Sequence, residues 1–190
     1  MTRIIAGEAR GRTIAVPPTG TRPTSDRARE GLFSSLQVRF GFLDAVVLDL
    51  FAGSGALGLE AASRGAATVH LVDDDATACE IMRRNAAIVK HDDVHIHQLK
   101  ASAYLAQAPH DYFDMVLIDP PYALADASVV DMLDALQPCL RDGAAVVVER
   151  HRDSPETDWP AAFTPTGQKL KKRTYGIARM DMATFERMDR

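Results

Sequence analysis

The sequence predicts an α/β fold: a doubly wound, mostly parallel sheet with an antiparallel C-terminal edge, preceded by a small N-terminal β-hairpin and helix. Three observations predict it. From residue 46 onward, short β-rich apolar runs alternate with longer helical stretches, the pattern of parallel strands joined by crossover helices. One of those runs opens directly into a glycine loop and then a helix. The last two β-rich runs meet at Gly176 with no helix between them, so the second must return antiparallel.

The elements follow in order. Ile4 to Val16 reads as a short hairpin turning around Arg10-Gly11-Arg12. Pro17, Pro18 and Gly20 break the chain before a helix that starts near Ser25 or Asp26 and brings Ala28, Leu32 and Leu36 to one face. Residues 1–40 thus form an extension, and residues 41–190 the main domain. In that domain Val46 to Phe51 is the first buried strand, Ala56 to Arg64 a helix ending near Gly65, Thr68 to Asp73 the second strand and Ala76 to Val89 the next helix. Val94 to Leu99 is the third strand, Met115 to Asp119 the fourth and Ala127 to Leu136 a helix. Asp142-Gly143 supplies a turn before a fifth strand, Ala144 to Glu149. Lys169 to Tyr175 and Ile177 to Phe185 complete the edge.

Composition narrows the class. At 190 residues, 46% hydrophobic and 25% charged, the chain has enough apolar material for one cored domain. The first fifteen residues carry Arg3, Arg10 and Arg12 and no leader-like apolar run, and no stretch approaches the roughly 20 apolar residues of a membrane span. A cytoplasmic protein without a membrane partner is expected. Cys79 and Cys139 lack metal or disulfide spacing and read as buried thiols. His95 and His97 share a strand face near His91, but no carboxylate or thiol at ligand spacing completes a metal set, so no metal is expected. The net charge is −4, unevenly spread: residues 1–30 sum to +3, residues 168–190 to +4 and the stretch between to −11. An acidic body with basic ends is the asymmetry left by an edge that binds a polyanion.

Val46-Val47-Leu48-Asp49-Leu50-Phe51 runs into Ala52-Gly53-Ser54-Gly55-Ala56-Leu57-Gly58. Gly53 and Gly55 let the backbone turn tightly and approach a ligand, and Asp73, 20 residues beyond Gly53, sits where a carboxylate takes both ribose hydroxyls of a nucleoside. Gly53, Gly55 and Gly58 also satisfy the dinucleotide pattern, so a nicotinamide dehydrogenase stands beside a methyltransferase. Asp49 shifts the balance. Its charge would oppose a pyrophosphate and favour a cationic sulfonium.

Asp119-Pro120-Pro121-Tyr122 follows the fourth strand, which flanks the topological switch point together with the first. The lone pair of a base amino group is delocalised into the ring, and it becomes nucleophilic only when its N–H bonds are held. Asp119 accepts one of them and the Pro120 carbonyl the other. The two prolines fix those acceptors in advance, and Tyr122 offers a ring for an unstacked base.

Through these motifs the chain resembles the RsmD-type methyltransferases, which modify the exocyclic N2 of a guanine in 16S ribosomal RNA. Arg3-Ile4-Ile5-Ala6-Gly7, Arg10-Gly11-Arg12 and Arg22-Pro23-Thr24-Ser25-Asp26-Arg27-Ala28-Arg29-Glu30 resemble that family's amino-terminal pattern. The glycine loop through Ala61 and the Asp119 tetrad match its two core motifs. The core motifs alone also fit methylases of DNA adenine or cytosine. The resemblance implies a Rossmann-like class I methyltransferase fold and S-adenosylmethionine as cofactor, held by Asp49, Phe51, Ala52, Gly53, Ser54, Gly55, Asp73, Asp74, Ala101 and Ser102. It implies chemistry at Asp119, Pro120, Pro121 and Tyr122. The RNA contacts are expected from Arg3, Arg10, Arg12, Arg22, Lys169, Lys171, Lys172 and Arg173, with 16S rRNA of the small subunit as partner and the protein acting as a monomer. Two positions depart from the pattern: Asp73 stands where relatives often carry Glu, and Lys100 where an acid or amide would meet the adenine, which leaves that contact to the Ala101 amide or Ser102. A non-catalytic RNA-binding domain on this fold is the remaining class, separable by methyl transfer from labelled cofactor.

Overall fold

The computed structural model describes residues 1–18 and 24–188. In chain order the elements are β1 (Thr2–Arg3), β2 (Thr13–Ile14), α1 (Asp26–Arg39), β3 (Val46–Leu50), α2 (Ala56–Ser63), β4 (Thr68–Asp73), α3 (Ala76–Val89) and β5 (Val94–Gln98). They continue with α4 (Ala101–Leu105), β6 (Phe113–Ile118), α5 (Asp126–Leu136), β7 (Leu140–His151), β8 (Phe163–Pro165), β9 (Thr174–Tyr175) and β10 (Ala178–Phe185).

Among the described residues the main sheet runs β5-β4-β3-β6-β7-β10-β8, with β9 also on β10. β3 pairs in parallel with both β4 and β6, so the direction of winding reverses between β3 and β6 as a doubly wound sheet requires. β10 runs antiparallel to β7, the expected edge. Alternation along the strands sorts the two faces. Val47, Val69, Leu71, Met115, Leu117 and Val147 join α2 and α3 in one core, while Leu48, Leu50, Val72, Val116, Ile118 and Val148 join α4 and α5 in the other.

The N-terminal extension belongs to the first of these cores. Ile4, Ala9 and Ile14, with Ala28, Leu32, Phe33 and Leu36 of α1, pack alongside Met180 and Met182 of β10. Polar contacts pin it. Glu60 on α2 is fully buried, accepts from the Ile5 and Ala6 amides at 2.9 and 3.0 Å and pairs with Arg64 at 3.0 Å. Ser63 Oγ accepts from the Ala9 amide at 2.9 Å. Gly7 makes the approach possible: at φ +84°, a Cβ here would stand 1.8 Å from the Ser63 carbonyl oxygen.

Four expectations are corrected. The predicted hairpin shrinks to pairs between Thr2–Arg3 and Thr13–Ile14, because Glu60 and Ser63 take the amides that a longer ladder would use. Lys169 to Tyr175 is not a strand. Leu170–Lys172 form one 3-10 turn, closed by Thr174 Oγ1 on the Leu170 carbonyl, and only Thr174–Tyr175 pair with β10. The outer edge belongs instead to β8 on the other half of β10. Asp142-Gly143 lies inside β7, at an irregularity between Phe113 and Met115 where Gly143 has φ +81°, rather than ahead of the strand. No helix among the described residues is long and apolar enough to cross a membrane.

Candidate active site

β3 delivers its last residue into a loop whose backbone is strongly bent: Phe51, Gly53 and Gly55 have φ of +59°, +56° and +78°. Phe51 is the notable one, since a bulky residue in the left-handed region carries strain that clusters at ligand loops. A Cβ on Gly53 would meet nothing within 4 Å, so the loop presents bare backbone to open space. On Gly58 a Cβ would lie 2.3 Å from Leu71 Cδ2, so glycine there lets α2 lie close on β4. Asn85 on α3, buried, donates to the Ser54 and Ala15 carbonyls at 2.8 Å each and fastens the N-terminal segment to the loop.

Asp73 ends β4 facing this loop and already holds it: Oδ2 accepts from the Gly53 amide at 2.9 Å and Oδ1 from the Asp75 amide at 3.0 Å. Each carboxylate oxygen keeps a second lone pair, which ribose hydroxyls would use. Asp74 is exposed beside it, and Asp75 caps α3 through the Ala78 amide. Ala101 and Ser102 open α4 at the end of the neighbouring β5, with Lys100 just ahead contributing no side-chain cap.

Asp49 is buried under the loop. Oδ2 accepts from the Gly58 amide at 2.9 Å, whereas Oδ1 finds no partner among the described residues. Burial, opposed by that amide and reinforced by the Asp73 charge, pushes its carboxyl up to about 7. A cation beneath the glycine loop would satisfy that orphaned carboxylate oxygen.

Asp119 emerges from β6 between the ends of β3 and β7: its amide donates to the Leu50 carbonyl at 3.3 Å, and β6 pairs Ile118 with Val148 of β7. That register sets Asp119 beside Glu149, a buried carboxylate. Thr24 Oγ1 donates to Glu149 Oε2 at 2.7 Å and lies 3.3 Å from Asp119 Oδ2. Burial, the Glu149 charge and a hydrogen bond to Glu149 hold the Asp119 carboxyl well above the usual carboxylate range. Pro120 and Pro121 lead into a turn closed by the Leu124 amide on the Pro121 carbonyl at 2.9 Å, and buried Arg150 ties that turn to Asp126 at 2.6 Å. Tyr122 stacks edge-on against His151 and donates its hydroxyl to Glu149 Oε1 at 3.2 Å. The glycine loop and the Asp119 tetrad therefore sit side by side at the C-terminal ends of β3 and β6, where a doubly wound sheet opens its crevice.

A family model described as conserved hypothetical protein 95 matches residues 2–184. The chain belongs to that family, the RsmD type. Ribosomal RNA small subunit methyltransferase D of Escherichia coli is 44% identical over 123 residues, 63% of this chain and 60% of that protein's length. The Haemophilus influenzae protein of the same name is 34% identical over 92% of this chain and 89% of its own. The solved structure of yhhF from Escherichia coli superposes with a TM-score of 0.81 at 34% identity, covering 98% of both chains. The RsmD-type family uses S-adenosylmethionine, and the bare Gly53 backbone, the Asp73 carboxylate and the unpartnered Asp49 oxygen fit it. An expected result follows from Asp49. A cation bound there favours the ionised form, so S-adenosylmethionine affinity should rise as pH climbs through about 7 and level off above it. Calorimetry from pH 6 to 8 checks this, with Asp49→Asn expected to flatten the profile. An equally steep profile in that variant contradicts it.

The basic residues expected to meet RNA divide. Arg22 lies outside the described residues. Lys169, Lys171 and Lys172 are exposed near β9, whose partner Ala178 lies opposite His151, so they stand on the crevice side of the sheet. Arg3 and Arg10 border a cleft of about 420 Å³ with Asp26, Glu30 and Arg64. Arg12 and Arg173 have internal work: Arg12 donates to the Val89 carbonyl at the C-terminus of α3 at 2.7 Å, and Arg173 is ion-paired with Glu156 and Asp181. His70 lies 3.0 Å from His97 and stacks on His95, while His95 also pairs with Asp93 and His91 faces the Ala66 carbonyl.

Sequence reasoning passed over Thr24, Glu149, Asn85 and Glu60. For Glu149 a signal existed: like Asp119, it is a carboxylate at the C-terminal end of a buried apolar run beside the switch point.

Proposed function

We propose that this protein transfers a methyl group from S-adenosylmethionine to the exocyclic N2 of a guanine in 16S rRNA of the small ribosomal subunit. The observation that carries the reading is the Asp119-Pro120-Pro121-Tyr122 turn at the end of β6, opening beside the glycine loop with its carboxyl buried and fixed. S-adenosylmethionine supplies the electrophilic methyl group when bound. Asp119 and the Pro120 carbonyl accept the two N2–H bonds, leaving the nitrogen lone pair free to face the donor. The turn fixed by Arg150 holds those acceptors before substrate arrives. The Tyr122 ring gives the extruded base a surface to lie on, and the hydroxyl bond to Glu149 keeps that ring in place. The methylated nitrogen must shed a proton, and the Asp119–Glu149 pair stands ready to take it. Exposed Lys169, Lys171 and Lys172 supply phosphate contacts on the crevice side, in keeping with a polyanionic substrate.

Labelled S-adenosylmethionine and small subunits from a strain lacking this protein test the reading: label should appear in a guanine of 16S rRNA. Label in adenine or cytosine, or in DNA in preference to RNA, would reject it. Charge reversal at Lys171 and Lys172 should weaken rRNA binding and reduce its salt slope by about two, one for each phosphate no longer neutralised, with cofactor affinity unchanged. Unaltered rRNA affinity in that double variant would remove the lysines from the interface.

A further inference from the structure

The end of β7 brings a second carboxylate to the place where the acceptor base would be held. Glu149 is 6% exposed, side by side with Asp119 through the pairing of Ile118 with Val148. Two hydroxyls donate to it, Thr24 at 2.7 Å and Tyr122 at 3.2 Å, one from the N-terminal motif and one from the Asp119 tetrad. Holding an amine by its two N–H bonds needs only the Asp119 carboxyl and the Pro120 carbonyl. Glu149 is thus a buried, firmly held acceptor beyond what amine capture requires.

The base edge supplies a reason for it. Beside its N2 amine, guanine carries N1–H, a second donor one ring atom away. Adenine and cytosine carry a ring nitrogen acceptor beside their amines instead. A carboxylate is acceptor-only, so it pairs with N1–H and meets an unprotonated ring nitrogen lone pair to lone pair. We propose that Glu149 accepts the guanine N1–H while Asp119 holds the adjacent N2 amine, making Glu149 the residue that selects guanine. This rests on the amine-methylation reading above and names the group that gives it base specificity. Thr24 and Tyr122 hold the Glu149 carboxylate in position, and each of its oxygens keeps a further lone pair for the base.

The test uses small subunits reconstituted with ligated 16S rRNA carrying either guanosine or 2,6-diaminopurine riboside at the nucleotide methylated by the wild-type protein. Diaminopurine keeps the 2-amino group but replaces the N1–H donor with an acceptor. Wild-type protein should methylate the guanine particle about 100-fold faster or more, as expected of a site built to pair a polar group that the analogue lacks. Glu149→Gln, whose amide NH₂ can donate to N1, should lose activity on guanine and narrow the ratio at least about 10-fold, with S-adenosylmethionine affinity unchanged as a control for folding. Equal wild-type rates on the two particles would overturn the proposal, even if the variant fails to fold. A folded Glu149→Gln that keeps the wild-type ratio would also overturn it. Those results leave guanine methylation standing, whereas methyl transfer to adenine or cytosine in the native particle would overturn both.

Discussion

Asp119→Ala should leave S-adenosylmethionine affinity nearly intact while methyl transfer to small subunits falls by at least about 100-fold, the loss expected when one positioned polar group is removed from a transition state. The split between the two readouts comes from the fold. Asp119 sits at the end of β6 against Glu149 and Thr24, while the groups fitted to the cofactor, Asp49, Gly53 and Asp73, belong to β3, its loop and β4. Asp119→Asn is the sharper variant. Burial beside Glu149 raises the Asp119 carboxyl well above the usual carboxylate range, and an amide keeps its shape and one acceptor oxygen without its charge. If orienting the amine dominates, Asn should exceed Ala by about 10-fold or more. If the carboxylate charge must stabilise the cationic nitrogen, the two variants will be equally slow. Single-turnover methylation, with cofactor binding measured separately, distinguishes these outcomes. Near-wild-type transfer by Asp119→Ala would remove Asp119 from the chemistry.

The largest effect on stability is expected at Glu60. Its buried carboxylate joins α2 to the N-terminal segment through the Ile5 and Ala6 amides and also holds Arg64, whose guanidinium lies 5.2 Å from the Phe33 ring centroid. Glu60→Ala leaves two amides and a nearly buried cation without their acceptor, so unfolding free energy should drop by about 3–5 kcal/mol, the usual cost of breaking a buried pair from one side. Glu60→Gln retains one acceptor oxygen and should lose less. Urea denaturation followed by far-UV circular dichroism measures both. A loss below about 1 kcal/mol in Glu60→Ala, the scale of an exposed ion pair, would mean that the N-terminal segment is held by its apolar residues alone.

Much of this architecture was legible because periodicity and turn chemistry agree in the βα units. Asp49, Gly53, Gly55, Asp73 and the Asp119 tetrad could be grouped as one candidate site because a parallel sheet carries the C-terminal ends of its strands to one edge. Other features depend on partners far away in sequence. Glu60 reads as an ordinary helical acid until Ile5 and Ala6 arrive 55 and 54 residues distant. Arg173 reads as part of a basic run until Asp181 and Glu156 neutralise it. β8 is three residues long with a proline at its end, too short for a period to register, and pairs with Ala183–Phe185 only because the sheet edge is vacant there. Thr24 shows the same limit at the site: the amino-terminal motif is recognisable as a string, but its hydroxyl reaches Asp119 and Glu149 only after α1 packs against the sheet.

The most direct test of the central claim is mass spectrometry of 16S rRNA from a strain deleted for this protein and complemented with either the wild-type chain or Asp119→Ala. An N2-methylguanine should disappear on deletion, return with the wild-type chain and remain absent with the variant. Retention of every N2-methylguanine in the deletion strain, or loss of a methylated adenine or cytosine in its place, would contradict the account.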